Sequence, residues 1–396
     1  MMSKQQGVLM EQKAKQVKIF LKTILTLAAQ TNQPFYALSL RIMKLWQLQI
    51  KSSYDNSLRT KRRKKGRRMN KHLQYIKIYM QQINQIADHL YLIQQGNNSY
   101  IHRQVGASDT VVIKSVFHAQ LFMEDDSVCH SVHQRECQDL QNEWKILSQL
   151  NHPNIIKAQQ FIPNHQLGPA GGNLQCCSLF LENATCDLHT LCKSNETSLK
   201  IIIKYFTQIS IAVEYLHSQY IAHNDIKLEN MLVMNRNIIK LADFGFSYRP
   251  SYEELLSKWL PRTLTSYSSP EIVNFRLNVV DGEFDEFCLF SSDVYALTTA
   301  LFLAIYKRPP IMGQFPTVDD QYYQLLINQP DLFWQLDFIQ KVDSQLMREH
   351  IPKQLLENLK DLMEGGLAEE YNRITIQEFV NHEFFKYAKQ IEGEQF

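Results

Sequence analysis

The run His223-Asn224-Asp225-Ile226-Lys227-Leu228-Glu229-Asn230, followed at short range by Asp243-Phe244-Gly245, constrains this chain more than any other feature. Between the two lie Met231 to Met234, an apolar strand; Asn235-Arg236-Asn237, a turn; and Ile238 to Leu241, the return strand. A hairpin that small brings Asn230 and Asp243 close together. Two hard oxygen donors side by side suit a Mg²⁺ ion carried on a nucleoside triphosphate, whose remaining positions go to phosphate and water. Asp225, a few residues upstream, is left to face a hydroxyl nucleophile.

At 396 residues the chain exceeds what one ordinary core fills, so two lobes or domains are expected. A hydrophobic content of 44% supports a folded, soluble protein. The net charge of +2 hides an asymmetry: seventeen of the 42 Lys and Arg, but only two of the 40 Asp and Glu (Glu11 and Asp55), fall in residues 1–72. That pattern reads as a basic tail on a mildly acidic globule. The dense run Lys61-Arg62-Arg63-Lys64-Lys65-Gly66-Arg67-Arg68 is either a solvated tail, a nuclear import signal read by an import receptor, or a binder of anionic surfaces. Met69, directly after it, offers an alternative start. Around Ile19-Phe20-Leu21 and Ile24-Leu25 the low acidity suits an organelle-targeting peptide or a surface helix; the plainer reading is a poorly ordered extension. Seven cysteines at irregular spacing, without a convincing secretory signal, point to a reducing compartment, the cytoplasm or the nucleus. Cys129, His130, His133 and Cys137 cluster, but no second paired half exists for zinc, so the region reads as a surface connection. No run of eighteen apolar residues is present, so no membrane span is expected.

The motifs and their order resemble the eukaryotic protein kinases. His223 to Asn230 is similar to their H-R-D-x-K-x-x-N, and Asp243-Phe244-Gly245 is their D-F-G. Val111-Val112-Ile113-Lys114 is a β-branched strand similar to V-A-I-K. Glu143, on a helix expected over Glu136 to Leu150 and followed by His152-Pro153-Asn154, matches their helix C and the loop after it. Tyr267-Ser268-Ser269-Pro270-Glu271 stands where the family has Y-x-A-P-E. Ser292-Asp293-Val294 and Arg373-Ile374-Thr375 match later landmarks. The resemblance implies an α+β, bilobal protein-kinase-like fold. Its small β-rich N-lobe with helix C would cover about 87–182, and its large, mostly helical C-lobe about 183–388. Residues 1–86 would be the extension and 389–396 a short tail.

It also implies roles. Leu90 to Gln94, the turn at Gly96-Asn97-Asn98-Ser99 and Tyr100-Ile101 stand where a glycine-rich hairpin covers phosphates; glycine lets backbone N–H groups approach them. Only Gly96 matches a family glycine. Ile101, Val112 and Leu232 would line the nucleotide, Lys114 would hold the α- and β-phosphates, and Glu143 would orient Lys114. Gln159 to Asn173, rich in Gly and Pro, reads as a loop, and Cys176 to Leu181 as a strand with Leu181 as gatekeeper. Glu182 and Ala184 would offer hinge backbone groups to adenine. Asp187 is either a ribose contact or a helix N-cap. Leu199, Ile202, Phe206, Ile209, Val213 and Leu216 recur at helical spacing and lead into the catalytic loop. His223 reads as structural. Asp293 would accept hydrogen bonds from the catalytic-loop backbone, and Glu271 would pair with Arg373. Val280 to Phe290 reads as a solvated acidic insertion.

The implied activity is phosphoryl transfer from MgATP to Ser/Thr hydroxyls of protein substrates, with no nucleic-acid partner. Asn230 and Asp243 would hold Mg²⁺, Asp225, a carboxylate of ordinary pKa, would accept the hydroxyl proton or orient the nucleophile, and Lys227 would neutralise the γ-phosphoryl group. Four departures favour a rival, a pseudokinase acting as a binding or scaffolding module: the poor glycine turn, Val112 for alanine, Leu264 for threonine and Thr298 for glycine. A small-molecule kinase is a third reading, opposed by Lys227 and the Ser-Pro-Glu segment. Asn224 replaces the arginine that in many relatives meets a phosphorylated activation loop, so activity is expected without such phosphorylation, although Ser247, Ser251 and Thr263 are available acceptors.

Overall fold

The computed structural model describes residues 90–393 apart from 96–99, 105–109, 118–125, 168–173, 195–196, 250–255, 258–263, 279–286 and 318. The chain divides into two compact units. The first comprises the described residues up to Gln141 with Ala158–Glu182; the second comprises Asn142–Lys157 and the chain from Asn183 onward.

The first unit is built on a five-stranded antiparallel sheet. Its elements are β1 (Leu90–Gln95), β2 (Tyr100–Gln104), β3 (Val111–Phe117), the helix α1 (Asp126–Leu147, whose residues from Asn142 on belong to the second unit), β4 (Ala158–Leu167) and β5 (Leu174–Glu182). The strand order is β1-β2-β3-β5-β4. Register fixes the faces: Lys114 lies opposite Ile101 on β2 and Leu179 on β5, and Val116 lies opposite Cys177. With a period of two, Val112, Lys114, Val116, Cys177, Leu179 and Leu181 share one face. Ser115, Cys176 and Ser178, all fully buried, share the other.

Two expectations for this unit need correcting. The helix starts at Asp126, ten residues before the expected Glu136, so the Cys129–His133 stretch is helical rather than a surface connection. Gln159 to Leu167 is a strand rather than a loop. Pro163 is tolerated because β4 is a sheet edge and its register with β5 shifts between Ile162 and His165, which spares a ladder hydrogen bond at the proline.

The second unit is largely helical. It opens with β6 (Cys186–Asp187), α2 (Leu188–Lys193) and α3 (Leu199–Ser218), followed by the hairpin β7 (Met231–Asn235) and β8 (Ile238–Leu241). Then come β9 (Leu256–Ser257), α4 (Pro270–Asn278), β10 (Phe287–Cys288), α5 (Leu289–Tyr306), α6 (Gln321–Asn328), α7 (Pro330–Phe333), α8 (Asp337–Arg348), α9 (Lys353–Leu367), α10 (Ile376–Val380) and α11 (Glu383–Gly393). α11 carries the chain beyond 388 as helix. The six apolar residues read at helical spacing in α3 are all buried, and Ser198 caps its start by accepting the Ile201 N–H.

The helix α5 is the centre of this unit. Among the described residues it is the one helix long and apolar enough to cross a membrane by composition, yet 83% of it is buried inside the protein. Thr298 on α5 occupies the space into which a Cβ at Gly366 of α9 would project, so the threonine found in place of the family glycine is accommodated by a glycine on the neighbouring helix. The acidic insertion ends earlier than expected. Phe287 pairs with Ser257 and is buried, Leu289 is buried at the start of α5, and residues 279–286 lie outside the described residues.

Candidate active site

The turn from α3 to β7 is held from below by one carboxylate. Asp293 on α5 is buried; its Oδ2 accepts the His223 N–H at 2.8 Å and its Oδ1 accepts the Asn224 N–H at 2.8 Å. Its Oδ2 also meets His217 Nε2 at 3.0 Å. Charge-assisted bonds to backbone donors are among the stronger kind, and they hold Asn224 in a left-handed conformation at φ 61°. Asparagine visits that region at little cost. Its amide reaches the Phe246 carbonyl at 3.3 Å.

His223 is fully buried and structural. Its Nε2–H donates to the Ala242 carbonyl at 3.2 Å, and its Nδ1 accepts the Asp225 N–H at 3.3 Å, which selects the neutral tautomer. Burial lowers its pKa, against the pull of Asp293 and Asp243. Its ring stands edge-on to Phe244 at 4.8 Å.

Asp225 is the centre of the loop. Its Oδ2 accepts Lys227 Nζ at 2.6 Å and Asn230 Nδ2 at 2.8 Å. Asn230 Nδ2 also donates to the Asp225 carbonyl at 2.8 Å, so the amide nitrogen is committed and the amide oxygen is the atom Asn230 can present elsewhere. Burial pushes the Asp225 carboxyl up to about 6; Lys227 opposes the shift and nearby Asp243 adds to it. The ordinary pKa expected from sequence is therefore corrected upward, because sequence does not reveal desolvation.

The hairpin does what its length promised. Met231 pairs with Leu241, and the Ala242 N–H donates to the Asn230 carbonyl at 2.9 Å, so Asp243 follows directly beside Asn230. Asp243 sits at φ 63°, ψ 72°, a left-handed turn that redirects the chain. The next N–H, of Phe244, donates to Glu143 Oε1 at 3.2 Å, and Glu143 is 1% exposed. Asn154, in the loop after α1, ties that loop to β8: its amide donates to the Ile239 carbonyl at 2.8 Å and its own carbonyl accepts the Leu241 N–H.

The other expected site residues fall on both units. Ile101, Val112 and Lys114 lie on one face of the first unit's sheet, and Glu182 ends β5. Ala184 and Leu232 belong to the second unit, with Leu232 on the side of β7 away from buried Met231 and Val233. Gly96 lies outside the described residues. Asp187 is the N-cap of α2: it accepts the Thr190 N–H at 2.7 Å and the Thr190 hydroxyl at 2.8 Å. Glu271 and Arg373 form a bidentate pair, at 2.6 and 3.0 Å. Burial opposes the Glu271 charge, but Arg373 outweighs it and the pKa falls below the usual carboxylate value.

A family model for the protein kinase domain matches residues 92–385, about three quarters of the chain. This chain belongs to the protein kinase family. It is similar to a probable serine/threonine-protein kinase of Dictyostelium discoideum, 27% identical over 192 residues, which are 48% of this chain and 25% of that protein. It is similar also to serine/threonine-protein kinase SIK2 of Gallus gallus, 36% identical over 177 residues, 44% of this chain and 20% of that protein. Myosin light chain kinase 3 of Homo sapiens is 29% identical over 188 residues, 46% of this chain and 20% of that protein. The matched part of the kinase thus spans a quarter or less of each of these relatives.

Four features of this kinase escaped the sequence. Leu264 packs against the apolar cluster of Ala222, Ile272, Phe287 and Leu289, so it supplies core rather than a hydroxyl. Thr265 caps its own turn, accepting the Tyr267 N–H at 3.2 Å; Thr263 lies outside the described residues. Tyr267 O–H reaches Glu229 at 3.4 Å, and burial with Glu229 nearby pushes its phenol well up. The residue types were visible, but the packing that decides their roles was not. Cys137 and Cys177 are joined as a disulfide, so the Cys137 sulfur is committed away from a metal; among the described residues no group of three or more His, Cys, Asp and Glu could hold one.

Proposed function

We propose that this kinase transfers the γ-phosphoryl group of MgATP to Ser/Thr hydroxyls of protein substrates. The observation that carries the reading is the Asp225 carboxylate, fixed by Lys227 and Asn230 and set beside Asp243 at the end of the hairpin. The donor chemistry fits Mg²⁺: an amide oxygen on Asn230 and a carboxylate on Asp243 are hard ligands of the kind that ion takes. Bound with the nucleotide, the ion would offset negative charge on the phosphates.

The protein's own part is positioning and charge placement. Asp225 aims at the acceptor. A cleft of mixed character that includes Asp225, lined by Asn224, Thr265, Tyr267 and Ser268 on its polar part and by Phe246 and Ile272 on its apolar part, suits a hydroxyl-bearing side chain. With a pKa of about 6, Asp225 is mostly ionised at neutral pH and is a better proton acceptor than an ordinary carboxylate. Lys227 holds the Asp225 carboxylate at 2.6 Å and would neutralise charge on the phosphoryl group. Glu143 and Lys114 serve the nucleotide phosphates in this reading. Lys227 and the names of the relatives support Ser/Thr over Tyr.

One observation favours the scaffold alternative: Leu264, partly buried and packed against an apolar cluster, brings no hydroxyl to Asp225 and Lys227. Transfer of label from MgATP to a generic basic protein, followed by acid hydrolysis, tests the choice. Phospho-Ser or phospho-Thr in the hydrolysate supports the enzyme. A folded sample with no transfer and no thermal shift on adding MgATP supports the scaffold.

A further inference from the structure

The first unit contains a sulfur pair that phosphoryl transfer does not use. Cys137 of α1 and Cys177 of β5 are bonded across a Cα–Cα distance of 5.9 Å, inside the usual disulfide range. Cys177 is 4% exposed, whereas Cys137 is half-buried, the less enclosed of the two. Register places Cys177 on the same sheet face as Lys114, so the bond fastens α1 to that face. On α1 itself, Cys137, Leu140, Glu143 and Leu147 follow one another at helical spacing, and the last three are 3%, 1% and 4% exposed. The cysteine therefore lies on the stripe that carries Glu143, six residues or roughly 9 Å along the axis. Cys177 Sγ also lies 3.2 Å from the Pro163 carbonyl, an acceptor for the thiol proton when the bond is open.

We propose that Cys137 and Cys177 are a redox modification site, a reversible clasp that an external low-molecular-weight disulfide closes and an external thiol opens. In closing, the Cys137 thiolate attacks one sulfur of the external disulfide, forms a mixed disulfide and expels one external thiolate. The Cys177 thiolate then attacks Cys137 Sγ, forms the clasp and expels the second. The two protons lost by the cysteines go to the two leaving thiolates, so one external disulfide becomes two thiols. Opening is the reverse, with attack on half-buried Cys137. The closed clasp fixes the helical phase of Glu143, which meets the Phe244 N–H; its consequence for catalysis rests on the function proposed above.

The test uses the full chain equilibrated in oxidised or reduced glutathione. Its first readouts do not depend on catalysis: mass mapping of the Cys137–Cys177 peptide pair and amide exchange along α1. The clasp predicts that the linked peptide appears only on oxidation and that exchange near Leu140 slows at least about tenfold. Cys137→Ser and Cys177→Ser should abolish both changes, while Cys186→Ser, a free cysteine elsewhere, should keep them. Phosphoryl transfer measured in parallel should be several-fold faster when oxidised. Absence of the linked peptide, or unchanged exchange, overturns the clasp. A clasp that forms while transfer stays equal in both states overturns its regulatory role. A clasp that forms in a chain with no transfer in either state supports the site and counts against the enzyme reading instead.

Discussion

The two units bury polar groups by different means. In the second, several of the buried groups are charged and are aimed at named partners: Asp293 at two backbone N–H groups, Arg373 at Glu271. In the first, the described buried seam is neutral. Ser178 Oγ lies 2.8 Å from Ser115 Oγ, 2.9 Å from His165 Nδ1 and 3.2 Å from Cys176 Sγ. Charged acceptors fix a loop in one conformation at the risk of a large loss when one partner goes. Hydroxyl and thiol seams satisfy a sheet interior with smaller individual stakes. The chemistry sits on the first kind of support, and sheet register carries the second.

Breaking the charged support should cost most. Glu271→Ala leaves Arg373 buried without its carboxylate, and denaturant unfolding should show a loss of about 3–5 kcal/mol. A loss under about 1 kcal/mol would mean the pair is solvated. Gly366→Ala drives a methyl into Thr298 and should cost about 1–3 kcal/mol. Thr298→Gly in the same chain should recover part of that loss, which a double-mutant cycle measures. Ser178→Ala in the first unit should cost only about 1 kcal/mol and leave phosphoryl transfer unchanged. A cost equal to that of Glu271→Ala would erase the contrast between the units.

The smallest effect has the opposite sign. Folding raises the Asp225 pKa to about 6, so the native state holds that proton more tightly than the unfolded chain. The stabilisation this gives is full below the ordinary carboxylate pKa and is lost as pH rises through about 6; at neutral pH the buried charge is a cost. Asp225→Asn should therefore raise stability by about 1 kcal/mol or less at neutral pH, with the gain shrinking as pH falls through 6. Melting curves at several pH values would read it, and a pH-independent difference would contradict the assigned burial.

Much of the second unit was legible because its signals are local. The spacing from Asn230 to Asp243 is a hairpin length, and the apolar residues of α3 recur with one period. The first unit was harder. Its strands are defined by partners far away in sequence, so Pro163 in an edge strand looked like a loop until β5 gave it a register. The start of α1 was hidden by polar residues with weak periodicity. The raised Asp225 pKa, the Leu264 packing and the Cys137–Cys177 bond depend on three-dimensional neighbours that no spacing announces. By contrast Glu271 with Arg373, and Asp293 with the catalytic loop, were readable because family motifs fix both ends of each contact.

The central claim is that Asp225 acts on the acceptor hydroxyl, and the most direct measurement is the single-turnover rate of transfer from MgATP against pH, for the native chain and for Asp225→Asn. The account predicts a rate that falls as pH drops through about 6 or below, since a Mg²⁺ ion on Asp243 would draw the Asp225 pKa down. It predicts a loss of about 10²–10⁴-fold in Asp225→Asn while the MgATP-induced thermal shift survives. Transfer undiminished in Asp225→Asn, or none in a native chain that binds MgATP, would contradict it.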